Sequence, residues 1–183
     1  TQGVSSAASD VYKRQVKEVD FIERITAPHK AGLPAVFLHC SMHSYRMSEA
    51  ADQWRELIGV KSTSHEKYRP LTVRLLQATH PVMRGFPDGW VTPKGDELYK
   101  VEKFHDTATA LAKAYGEDTK QEHPIVWVNQ NGKIRSFSTT LGHGNEVVET
   151  QEYLDLVARG ILWVSGKLRE DGTPADGFGP VNP

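Results

Sequence analysis

Two rhythms of apolar residues alternate along this chain. Val16, Val19, Ile22 and Ile25 recur at near-helical spacing with Lys17, Glu18, Glu23 and Arg24 between them, which predicts a helix over about 16–29. Gly32 and Pro34 close it. Ala35-Val36-Phe37-Leu38 is then a short unbroken apolar run, the pattern of a strand buried on both faces. Ser48 stands ready to cap a helix carrying Ala51, Trp54, Leu57 and Ile58, and Gly59 is its natural stop. Leu71 to Leu76 alternates loosely and favours a strand, and His80-Pro81 to Gly89 reads as a loop. Thr107 to Tyr115 is ambiguous, because its alanines favour helix while Ala108, Ala110, Ala112 and Ala114 repeat at period two. Ile125-Val126-Trp127-Val128 reads as a strand, Asn131-Gly132 as a tight hairpin turn and Arg135 to Thr139 as the returning strand. Tyr153, Leu156, Val157, Ile161 and Leu162 mark a last helix of about 150–164, and the Gly- and Pro-rich stretch from Gly166 predicts little regular structure. Strands alternating with helices and then a hairpin argue for an α/β architecture.

At 183 residues the chain fits one domain with a real core. Formal net charge is -1 with interspersed signs, so neither nucleic acid nor an anionic membrane surface is an expected partner. No apolar run approaches the roughly 20 residues that span a bilayer. The one cysteine allows no internal disulfide and leaves the compartment, cytoplasmic or exported, undetermined. A homo-oligomer is compatible with the sequence. Residues 1–15 show neither amphipathic period nor signal-peptide order, and Ser5 to Gln15 resembles translated adapter sequence. They are expected to be a non-native or disordered leader, followed by a domain over 16–168 and an irregular tail over 169–183.

Three segments gather the reactive groups: Phe37-Leu38-His39-Cys40-Ser41-Met42-His43, Asp96-Glu97-Leu98-Tyr99 and Leu141-Gly142-His143-Gly144-Asn145-Glu146. Each follows or adjoins a predicted strand end, where α/β sheets bind ligands. A histidine that closes a wholly apolar run, as His39 does, needs a polar partner. Cys40 beside it, near a helix start, has the setting of an activated thiol or of a small apolar core residue. His43 lies four residues on, a spacing that would put both rings on one helical face. No HExxH-type glutamate lies between them, so no metal is assigned, although a site from His39, His43 and His65 stays open. His65, beside Glu66, reads as a free-standing loop histidine, either solvated or in a cleft. Asp96 and Glu97 read either as a solvated acid pair or as a base and hydroxyl binder facing an imidazole. Gly142 and Gly144 flanking His143 suggest a sharp bend or a backbone close to a ligand.

The ordered set FLHCSMHSYR, W-x-x-L-I-G, H-P, G-D-E-L-Y, H-P-I-V-W and T-T-L-G-H resembles the ThuA-like (trehalose utilisation) family of the class I glutamine amidotransferase-like superfamily, over about residues 20–168. The resemblance implies a flavodoxin-like three-layer α/β sandwich with a mostly parallel sheet and a C-terminal hairpin, here without its first strand and helices. It favours a strand over Thr107–Tyr115. It carries His39, Glu97, Tyr99 and His143 over as cleft residues. Together with the reading of the residues themselves, the expectation is His39, Glu97 and His143 as catalytic groups, Cys40, His43, Asp96, Tyr99 and His65 as substrate-facing residues, a small carbohydrate as partner and no cofactor. The elbow lacks the glycines of a glutaminase G-x-C-x-G, and His143-Gly144-Asn145-Glu146 is one residue longer than H-P-E, so glutamine hydrolysis is not expected. The expected function is acid/base chemistry on trehalose or a related keto-sugar. The alternatives are a cysteine amidase using Cys40 and a non-catalytic sugar-binding module.

Overall fold

The computed structural model of the protein describes residues 18–179. The expected leader over 1–15 lies outside them. Helix α1 (Val19–Lys30) turns Ile22 and Thr26 inward. Strand β1 (Ala35–Leu38) runs into a 3-10 turn over His39–His43. Helix α2 (Ala51–Ile58) follows, with Gly59 at φ +88 as its left-handed stop. Ser48 sits two residues before the N-cap residue, Ala50, and its Oγ accepts the Ala50 N–H at 3.1 Å. The remaining elements are β2 (Val60–His65), β3 (Arg74–Leu75), β4 (Tyr99–Phe104), β5 (Ala108–Tyr115), β6 (Glu122–Asn131), β7 (Ile134–Thr139), α3 (Asn145–Val148) and α4 (Gln151–Val164). Thr150 caps α4 by accepting the Tyr153 N–H at 3.3 Å.

Five strands form one sheet in the order β1-β7-β6-β5-β3, and β2 and β4 form a separate antiparallel ribbon. The mostly parallel sheet implied by the family resemblance is corrected here. Only β1 and β7 pair in parallel; β3–β5, β5–β6 and β6–β7 are all antiparallel among the described residues. The physical reason lies in the connections. Asn131 to Lys133 reverses the chain within a tight turn, with Gly132 at φ +57, and such a link can only join antiparallel neighbours. A parallel pair needs a long crossover, and the chain between β1 and β7 supplies one. The expected strand over 71–76 shrinks to Arg74–Leu75, and the loop after His80 contains a 3-10 turn at Pro81–Met83. The alanine-rich segment is a strand: it pairs with β6, and Leu111, Ala112 and Ala114 pack into the sheet core, with register shifts around Ala112 that interrupt the period-two alternation.

Alternation along the strands feeds two cores. Val126, Val128 and Phe137 join Tyr153, Leu156 and Trp163 of α4 on one side. Phe37 and Trp127 join Leu57 and Ile58 of α2 with Tyr99 of β4 on the other. Trp127 is fully buried and donates its indole N–H to the Ile58 carbonyl at 2.8 Å, so α2 is both packed and hydrogen-bonded to the sheet.

Candidate functional site

The parallel pair brings the His39 and His143 segments together. Leu38 of β1 lies opposite Thr139 of β7, so both strands end at the same edge. The residues just beyond those ends, His39 and Thr140 to His143, therefore start as neighbours although about a hundred positions separate them. His39 takes φ +39, a left-handed backbone uncommon for a residue with a side chain, and its imidazole donates from Nδ1 to the Thr140 carbonyl at 2.6 Å. The third segment arrives from the other sheet. The β2–β4 ribbon packs its Tyr99 against the His39 ring, with centroids 5.0 Å apart and planes at 75°, and Glu97 lies two residues earlier.

Three groups converge. Glu97 Oε2 is 3.4 Å from His39 Nε2 and 3.2 Å from His143 Nδ1, and the two imidazole nitrogens are 3.3 Å apart. His65 Nδ1 approaches the other carboxylate oxygen of Glu97 at 3.6 Å. Burial pushes the Glu97 carboxyl up, but the bond to His39 and the charges of His65, His143 and His39 outweigh it and hold the group below the usual range. His39 is buried, whereas the His143 side chain is 44% exposed and forms the open side of the cluster. Across from it the Tyr68 ring sits 5.4 Å away and is itself exposed.

Asp96, expected to face substrate, is fully buried. Its carboxylate accepts the N–H groups of Gly142 (2.7 Å), Glu97 (2.8 Å) and His143 (3.1 Å), and lies 4.0 Å from His39 Nδ1. Burial raises its pKa, and those N–H groups together with His39 oppose the rise. Its part is thus to pin the backbone that carries both Glu97 and His143. Gly142 takes φ +105 here, and a Cβ on it would run into the Tyr153 hydroxyl. Burial, reinforced by the Asp96 charge, pushes the Tyr153 hydroxyl up to about 12, so it stays neutral.

His43 is buried beneath the cluster, bonded to Ser62 Oγ at 3.2 Å and lying over Tyr99 with centroids 4.3 Å apart. It does not join His39 in a metal-like pair, because the 3-10 turn has a different period from the α-helix assumed for that spacing. The metal-competent set among the described residues is His39, Glu97 and His143 rather than His39, His43 and His65. Cys40 is half-buried next to His39 and outside the converging trio. His65 closes strand β2 and is not a loop residue. Tyr68 and the Thr140 carbonyl are members the sequence did not announce; only the aromatic in the polar stretch Lys67-Tyr68-Arg69 could have signalled the first. Two surface depressions, one bordered by Phe86 and α4 and one by Arg69 and Tyr115, lie apart from the trio, which is singled out by its chemistry.

The family model for ThuA, trehalose utilisation, matches residues 13–164. No curated protein matches the chain. A crystal structure of a protein described as ThuA-like from Parabacteroides merdae is similar with a TM-score of 0.68 at 19% identity, over 85% of this chain and 70% of that one. Another, from Bacteroides uniformis, has a TM-score of 0.66 at 18% identity, over 78% of this chain and 62% of that one. At such identities the likeness is one of fold, and this chain spans 62% of the length of the second protein. The family match runs through every element that builds the cleft, and the chain belongs to the ThuA (trehalose utilisation) family.

Proposed function

We propose that the protein acts in carbohydrate utilisation, on trehalose or a related keto-sugar, by proton transfer at the cleft of His39, Glu97 and His143. The observation that carries this reading is the meeting of two imidazoles and a carboxylate, all within 4.8 Å, from three distant segments. His143, exposed at the mouth, is the group that meets substrate and moves its proton. Glu97 holds the His143 ring and balances positive charge on it. His39, fixed through Nδ1 to the Thr140 carbonyl, steadies Glu97 from below. Tyr68 at the rim offers an aromatic face for a sugar ring. A C–H beside a keto group is acidic enough for such a base, which makes a keto-sugar a better match than an intact glycoside. Buried Asp96 supports the loop and does not face ligand.

The test is proton NMR of trehalose and its mono-keto derivatives incubated with the purified protein and with His143→Ala and Glu97→Gln. Removing a positioned acid/base group should slow turnover by about 10²-fold or more. Turnover unchanged in both variants would refute the assignment. Sugar binding by calorimetry with no turnover in the parent protein would favour the binding-module reading. Loss of activity on alkylating Cys40 alone would favour the cysteine hydrolase.

A further inference from the structure

The geometry points to a metal centre: we propose that His39 Nε2, Glu97 Oε2 and His143 Nδ1 bind one divalent cation of the zinc class, with a fourth position open to water or substrate. The three atoms form a nearly equilateral triangle with edges of 3.4, 3.3 and 3.2 Å. A tetrahedral ion with bonds of about 2.0–2.1 Å requires ligand–ligand edges of about 3.3–3.4 Å. Six-coordinate geometry at the same bond length would need edges of about 2.9 Å, shorter than those found.

The hydrogen bonding leads to the same site. The Thr140 carbonyl can only accept, so in its neutral form the His39 ring carries its proton on Nδ1 and presents a lone pair at Nε2, which a cation can take in place of the proton that bonds Glu97 when the ring is charged. That lone pair faces Glu97 Oε2, which is also an acceptor. A proton placed between them would serve one pair of atoms, whereas a cation serves all three at once. The bond from Nδ1 to a backbone carbonyl is the outer-shell contact that metal-bound histidines usually make. Asp96 clamps the backbone at Glu97, Gly142 and His143, so two of the three ligands sit on one fixed frame. The exposed side of His143 leaves the approach that a catalytic site needs and a structural site lacks.

What the ion acts on rests on the sugar reading; its binding does not. It would polarise a keto oxygen or lower the pKa of a bound water, and the proton-transfer role would then pass from His143 to that water.

The experiment is equilibrium dialysis of the EDTA-treated protein against Zn²⁺, with the bound metal measured by mass spectrometry, and the visible spectrum of the Co²⁺ form. The expected result is one ion per chain and intense cobalt bands of four-coordinate type. His143→Ala, at a half-exposed position, and the isosteric Glu97→Gln should each weaken Zn²⁺ binding by at least 100-fold with unchanged circular dichroism, while His29→Ala should leave it intact. Absence of stoichiometric binding in the parent protein, or binding untouched by both ligand variants, would overturn the proposal. Metal binding without sugar turnover would count against the sugar reading alone.

Discussion

Glu66 offers a quantitative test of how this fold is held together. It follows His65 at the end of β2 and is 2% exposed. Its carboxylate accepts the N–H groups of Glu117 (2.9 Å), Asp118 (2.9 Å) and Thr119 (3.1 Å), the Thr119 hydroxyl (3.3 Å) and the Arg69 guanidinium (3.1 Å). It thereby ties the β2–β4 ribbon to the turn between β5 and β6. Burial alone would raise its pKa; the Thr119 N–H, Arg69 and the Glu117 and Asp118 N–H groups overcome that and bring it from 4.5 down to about 2. A carboxyl whose folded pKa is depressed stabilises the native state above its unfolded value and loses that contribution as pH falls toward the folded one. The shift corresponds to about 3 kcal/mol at neutral pH, falling to less than half of that by pH 3. Glu66→Gln should therefore lower the urea-unfolding free energy by about 3 kcal/mol at pH 7, and the gap to the parent protein should close steadily between pH 4.5 and 2.5. A gap below about 1 kcal/mol at pH 7, or one that stays constant over that acid range, would refute the reasoning.

Two further substitutions probe the frame around the cleft. Asp96→Ala orphans the buried N–H groups of Glu97, Gly142 and His143 and should cost about 3–5 kcal/mol in urea unfolding, with Asp96→Asn, which keeps an acceptor, costing less; equal costs would show that the carboxylate does not hold the loop. Gly160→Ala would ordinarily favour helix α4, but its Cβ would overlap the fully buried Phe137 ring, so a net loss of about 1–3 kcal/mol is expected in thermal or urea unfolding, and a rise in stability would contradict the packing.

Much of the secondary structure was legible because its signals are local. The apolar run Ala35–Leu38, the Gly59 stop and the Asn131-Gly132 turn each act within a few residues, and each produced the element it announced. The β2–β4 ribbon escaped notice. Val60 to His65 carries a single apolar residue, so although burial alternates from Val60 to Thr63, the apolar letters that mark a strand are missing, and register shifts between Lys61 and Ser62 and again before Ser64 make the pairing irregular. The candidate trio could be named in advance because histidines and acids at strand ends are visible as letters, and the ThuA resemblance ordered them. The division of labour within Asp96-Glu97 could not: two adjacent carboxylates look alike in sequence, yet one is walled in by backbone N–H groups and the other faces three imidazoles.

By itself the amino-acid order determined where the helices stop, where the chain doubles back and which reactive side chains stand at strand ends, since these depend on backbone preferences and short-range periodicity. Tertiary structure alone decided that β1 and β7 run side by side in parallel, that the ribbon lays Glu97 against their common edge, and that two imidazole nitrogens and a carboxylate oxygen meet 3.2–3.4 Å apart. Those outcomes depend on which surfaces bury one another across roughly a hundred residues of chain, and no local pattern encodes that choice.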